Sequence, residues 1–155
     1  ELSKVIADIS PNPLMPCVLI SVSSKQTNET NESYIPSLVK GDQIITRAAL
    51  KDLLSDYSNE QLQSLVVRTL PNDKNKCSQA YSLDNQPAFF SREAILYLNE
   101  RAVEHLIVDI PSLDRLHDDG LLTCHHLFWQ VIFKAPTIAT FLPSTDMTVL
   151  VVIKV

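Results

Sequence analysis

Between His105 and Trp129 the chain reads HLIVDIPSLDRLHDDGLLTCHHLFW, and no other stretch gathers as much ionisable chemistry. The apolar run Leu106–Val108 leads into Asp109, Ser112 and Asp114 follow Pro111, and the segment closes on His125 and His126. Carboxylates and imidazoles at the mouth of a buried strand suit a metal site or a hydrolytic one, because active residues of open α/β sheets gather at the carboxyl ends of strands. Aspartate and serine also serve there as plain turn and cap residues, and spacing alone favours that structural role for Asp109 and Asp114. Adjacent residues point to opposite faces of a strand and sit about 100° apart on a helix. His125 and His126 are therefore not expected to ligate one ion together; the second packs or fixes the first.

Two further groups carry charge. His117-Asp118-Asp119-Gly120 reads as a solvated acidic turn, since its spacing is not that of a calcium loop. Arg68-Thr69 ends an apolar run and would meet an anionic substrate or brace a neighbouring carboxylate, an internal salt bridge being the simpler reading. No P-loop, dinucleotide fingerprint, nucleophile elbow or zinc-ribbon spacing occurs.

The elements that must position these residues follow from apolar periodicity. Val18–Val22 predicts a strand, being β-branched and bounded by proline and serine. The polar stretch 23–37 predicts an exposed loop, and its Asn28-Glu29-Thr30 and Asn31-Glu32-Ser33 triplets, although they fit the glycosylation pattern, read as loop composition. Apolar positions 45, 49, 50, 53 and 54 predict an amphipathic helix over Ile45–Tyr57 with Thr46 as its N-cap. Leu65–Thr69 predicts a short strand stopped by Pro71, and 71–87 a second polar loop. Ser91 caps a helix over Arg92–Arg101 whose Ala94, Ile95, Leu98 and Ala102 share a face. His105–Ile110 is the next strand, and Val149–Val155 a buried one. Strands and helices that alternate in this way indicate an α/β fold with part of the sheet parallel.

Composition sets outer bounds. A chain of 155 residues with 45% apolar and 20% charged content is of a size and make-up for one globular domain with its own core. A net charge of −5 without a basic, aromatic-rich patch argues against a nucleic-acid partner. No apolar run of about 18 residues predicts a membrane span, and no signal peptide is visible, so a cytoplasmic location is expected. Cys17, Cys77 and Cys124 lack metal or redox spacing and read as buried free thiols. Two glycines, Gly41 and Gly120, stand where average usage would give roughly eleven.

Residues 87–129, PAFFSREAILYLNERAVEHLIVDIPSLDRLHDDGLLTCHHLFW, resemble the downstream half of the cyclase family of metal-dependent hydrolases, which includes kynurenine formamidase and isatin hydrolase. The shared features are Phe90-Ser91 opening a helix, the strand ending Val108-Asp109-Ile110-Pro111-Ser112-Leu113-Asp114, and Asp119-Gly120 followed by His125-His126. Gly41–Thr46 and Val66–Thr69 fit the same family, so the likeness runs over about residues 38–131. The resemblance implies a swivelling β/β/α domain, a mixed sheet with flanking helices, assembled as a homodimer or larger homo-oligomer. It implies hydrolysis of an amide, formamide or lactam bond in a small-molecule substrate by water activated on one or two divalent ions, zinc or manganese. In that role His125 aligns with the family's downstream metal ligand. His126 stands behind it, and Asp109, Ser112 and Asp114 shape the rim or brace the site.

The family's upstream metal motif, a glycine-rich segment with two histidines and an acid, has no counterpart here, because the first histidine is His105. The glutamate ligand that follows the histidine pair is also absent, the last glutamate being Glu104. Glu1–Ser10 resembles the family's opening strand but runs almost directly into Pro11, and Val131 passes straight into Ile132. Two segments are therefore expected to be missing, near 5–11 and 131–132, and the glycine shortage agrees. No catalytic residue is identifiable within the chain on this reading. The competing one is a metal-free family member that acts as a binding or structural oligomer.

Overall fold

The computed structural model describes residues 15–82, 85–130 and 150–153. Along them the elements are β1 (Cys17–Ser23), β2 (Lys25–Gln26), β3 (Gln43–Ile45), α1 (Arg47–Leu54), β4 (Ser64–Leu70), β5 (Phe89–Phe90), α2 (Arg92–Glu100), β6 (His105–Val108), α3 (Thr123–Trp129) and β7 (Leu150–Ile153). They form an α/β arrangement of two small sheets with helices packed on them, as the alternating pattern predicts.

The larger sheet has the order β1-β4-β6-β7, with β1, β4 and β6 parallel and β7 antiparallel to β6. Period-two alternation buries Val18, Ile20 and Val22 of β1, Leu65 and Val67 of β4, and Leu106 and Val108 of β6. Each fully buried branched side chain contributes about 1.5–3 kcal/mol relative to exposure, so this face fixes the register against a one-residue slip. Alternate positions behave differently: Leu19 is 56% exposed, and Arg68 is exposed beside Ser21.

Helix α1 starts where Thr46 Oγ1 accepts the Ala49 amide at 3.2 Å. Helix α2 starts where Ser91 Oγ accepts the Ala94 amide at 2.9 Å. Caps of this kind stabilise by about 1 kcal/mol each. Leu50 and Leu54 of α1 and Ala94, Ile95 and Leu98 of α2 reach the core, and α2 packs between α1 and α3. The sequence places α1 as far as Tyr57, but it ends at Leu54, where the Arg101 guanidinium reaches over to bond the carbonyls of Leu54 and Tyr57.

The smaller sheet, β2-β3-β5, is not foreseen from the sequence. Its strands have two or three residues, too few for an alternation to register, yet Ile44, Ile45, Phe89 and Phe90 are wholly buried. Ile45 thus belongs to β3 and not to the helix that follows. The stretch 23–37 holds β2 and a 3-10 turn at Thr27–Glu29, and 71–87 holds another at Lys74–Ser78. The proposed breaks near 5–11 and 131–132 lie outside the described residues. β7 confirms a strand within 149–155, while the burial expected for its side chains lies outside what is described.

Candidate functional site

Strand β6 ends at Val108, and the chain crosses the end of the sheet with Ile110 and Leu113 turned into the core. Ser112 Oγ accepts the Asp114 amide at 3.0 Å, a local turn that sends the Asp114 carboxylate inward. Asp114 is 1% exposed. Its Oδ1 accepts the Tyr34 hydroxyl at 2.9 Å and the Cys124 amide at 2.6 Å. Its Oδ2 accepts the His125 amide at 3.2 Å and lies 2.6 Å from His125 Nδ1.

Asp114 therefore does two jobs. Helix α3 begins on Leu122 in a left-handed conformation, φ 46°, with no side-chain cap of its own, and Asp114 takes its first free amides from across the fold. The same carboxylate holds the His125 ring. Burial pushes the Asp114 carboxyl up, but the hydrogen bond and charge of His125, the Cys124 amide and the Tyr34 hydroxyl outweigh it and hold the group below the ordinary aspartate value. An ionised carboxylate only accepts, so Nδ1 carries the proton and the lone pair of a neutral ring sits on Nε2. This carboxylate–imidazole pairing is the support that metal-binding histidines commonly have.

The surroundings are tight. His125 is 3% exposed, Phe128 and Cys124 are wholly buried, and the His125 and Trp129 rings lie 5.4 Å apart. Cys124 Sγ donates to the Phe90 carbonyl, and burial followed by the nearby Asp114 charge pushes its thiol well above the usual range. Cys124 is thus inert, as expected of a buried thiol. Cys17 corrects that expectation, because it is exposed at the start of β1.

His126 lies on the same helix but is half-buried, away from Asp114's carboxylate contacts. Asp109 belongs to a separate cluster. Val67 pairs with Val108, so Thr69 near the end of β4 and Asp109 just past β6 lie at the same end of the sheet. Asp109 Oδ1 accepts the Thr69 amide and hydroxyl, both at 2.9 Å, and Oδ2 takes Lys76 Nζ at 2.5 Å. Lys76 also bonds the Thr69 carbonyl and hydroxyl. Burial and then the Asp109 charge raise the pKa of Tyr81 nearby. Arg68 has no part in this: it donates to Ser21 Oγ across the strand pair, so the expected internal salt bridge is made by Lys76 instead.

The acidic turn also differs from expectation. His117 and Asp119 are exposed, but Asp118 is buried and folds the turn by accepting the Gly120 and Leu122 amides at 3.0 and 2.7 Å. Tyr34, Lys76 and the Asp42–Arg115 ion pair escape sequence reasoning. Tyr34 and Lys76 stand alone in polar loops, and Asp42 and Arg115 lie 73 residues apart, so no spacing pattern could have marked them.

A divalent ion needs about three protein ligands in a catalytic zinc site. Among the described residues no group of three His, Cys, Asp or Glu side chains is placed to hold one. His125 fits as one oriented imidazole; the described residues do not by themselves complete a metal site. A cavity of ≈ 520 Å³ is lined by Asn28–Glu32 and Glu93, and neither the Asp114–His125 pair nor the Asp109 cluster lines it. No helix among the described residues is long and apolar enough to cross a membrane.

Comparison with known proteins agrees with the resemblance. No curated protein and no solved structure matches the chain. The family model Cyclase, described as "Putative cyclase", matches residues 3–115, which takes in β1 to β6, Asp109, Ser112 and Asp114 and stops short of α3 and His125. The chain belongs to the cyclase family.

Proposed function

We propose that this chain is a hydrolase of an amide, formamide or lactam bond in a small molecule, of the kynurenine-formamidase kind. His125 would serve as one ligand of a divalent ion, zinc or manganese. The observation that carries this reading is the buried Asp114–His125 pair in the chain that follows β6, 2.6 Å between Oδ2 and Nδ1. Asp114 fixes the tautomer that puts a lone pair on Nε2, and the ring is 3% exposed with the Trp129 ring 5.4 Å away. His126 would support the site from behind. Asp109 and Ser112 would hold the sheet end and the turn in place. The same reading takes the fold as a single swivelling β/β/α domain, a homodimer or larger, in the cytoplasm, without nucleic-acid or membrane partners.

A second reading, a metal-free member that acts as a binding or structural oligomer, is favoured by one fact. The chain has no histidine before His105 and no glutamate after Glu104. Elemental analysis of the purified chain after incubation with zinc or manganese separates the two. The hydrolase reading expects at least one bound equivalent and turnover of N-formyl or lactam substrates. It also expects Asp114→Asn to weaken metal affinity by about 10–100-fold in protein shown by circular dichroism to be folded. Less than one equivalent, with no turnover, establishes the second reading.

A further inference from the structure

Arg115 has no role in the hydrolase reading, yet it is 8% exposed and held from several sides. Its Nε donates to Asp42 Oδ1 at 3.2 Å, and its Nη2 bonds Asp42 Oδ2 and the Ser37 carbonyl at 3.1 Å. Its guanidinium lies 5.4 Å from the centre of both the Tyr34 and the Phe89 ring. That geometry uses Nε and Nη2, while Nη1 has no acceptor among the described residues. A guanidinium so fixed keeps two donors in a set direction and loses little freedom when an acceptor arrives.

Arg115 also lines a cavity of ≈ 340 Å³ together with Lys40, Gly41, Asp42, Gln86 and His117. The volume is at the small end of ligand pockets, which run from about 300 to 1,000 Å³. The charge of Asp42 is offset by the guanidinium, Oδ1 being taken by Arg115 and Oδ2 by Arg115 and the Val39 amide. Lys40 and Arg115 against Asp42 leave a formal surplus of one positive charge with His117 neutral, in a chain whose net charge is −5. Gly41, at φ +99° with nothing within 4 Å of where a Cβ would stand, leaves its backbone open to close approach.

We propose that this cavity is a binding site for a small oxyanion, a monocarboxylate by its charge, held by Arg115 Nη1 and by Lys40 and His117 at the rim. The site stands apart from the hydrolase reading: it needs neither a metal nor His125.

The test uses the full chain and titrates it by NMR or calorimetry with benzoate, with inorganic phosphate, and with benzamide as the neutral match for benzoate, at constant ionic strength. The expected result is saturable benzoate binding that moves the Gly41 and His117 amide signals and weakens by about tenfold or more in Lys40→Ala/His117→Ala. Both side chains are exposed, so this variant keeps its fold. Saturable phosphate binding with the same dependence on Lys40 and His117 upholds the oxyanion site and makes phosphate its ligand. The proposal is overturned if neither anion saturates, if benzamide binds as well as benzoate, or if the double variant binds as tightly as the native chain.

Discussion

Asp109 and Asp114 stand five residues apart at the end of the same strand, and the fold treats them differently. Asp114 is sealed in the core and takes partners from two other parts of the chain: Tyr34, and the start of α3 with its His125 ring. Asp109 is half-buried and ties down the loop after β4 through Lys76, with side-chain exposures of 14% for the lysine and 21% for the aspartate. Two identical residues that follow one strand are set apart by burial and by partner type. The buried one organises a helix and a histidine, whereas the half-exposed one fastens a loop.

The largest effect that would break this comparison comes from Asp114→Ala. It strips partners from the Tyr34 hydroxyl, two amides of α3 and the His125 ring at once, in a place water does not reach. Removing one partner of a buried charged cluster costs about 3–5 kcal/mol, a large part of the 5–15 kcal/mol that holds a typical domain. Chemical denaturation should show a loss in that range, with the His125 and Trp129 region exchanging its amide hydrogens first. A loss below about 1 kcal/mol would put Asp114 in the same class as Asp109.

Much of the frame that carries both aspartates is legible in the sequence. The β-branched run at 18–22, the caps Thr46 and Ser91, and the apolar run 106–108 are local signals, and each element lies within a few residues of where they place it. The motif Asp109–Asp114 carries part of the family resemblance and lies inside the match over 3–115, whereas the histidine pair lies beyond that match. What escapes is long-range. Tyr34 meets Asp114 across 80 residues, and Arg115 meets Asp42 across 73. Neither pair has a period or a spacing, because the contact exists only after the chain has folded. The β3–β5 pair escapes for the opposite reason, being too short to carry a pattern although its side chains are among the most buried.

Lys76→Met measures the other side of the comparison. It leaves Asp109 with its two bonds from Thr69 and removes only the lysine that crosses from the loop. An exposed pair is worth about 0–1 kcal/mol and a buried one more, so a loss of about 1 kcal/mol is expected. The pair keeps contact with solvent, so the difference between native and variant protein should shrink as salt is raised from low ionic strength to about 1 M. The Asp114→Ala loss should hardly change over the same range. Equal salt responses at the two sites would remove burial as the explanation for their difference.

The smallest effect extends the series to a carboxylate nearer solvent. Glu93, at the start of α2, accepts the Ser33 amide at 2.8 Å and the Ser33 hydroxyl at 2.6 Å, and so fastens the loop that carries Tyr34. Burial pushes its carboxyl up, but the two Ser33 bonds overcome this and set its pKa below the ordinary glutamate value. The folded pKa is the lower one, so on acidification the unfolded chain binds its proton first. The stabilisation is thus fully present above the unfolded value of about 4.3 and is lost as pH falls through the folded one. Glu93→Gln should therefore lower Tm slightly at pH 7, and the gap to the native chain should close on acidification below pH of about 4. A gap that persists unchanged at the acid end would mean that the Ser33 contacts act through shape and not through the charge of Glu93.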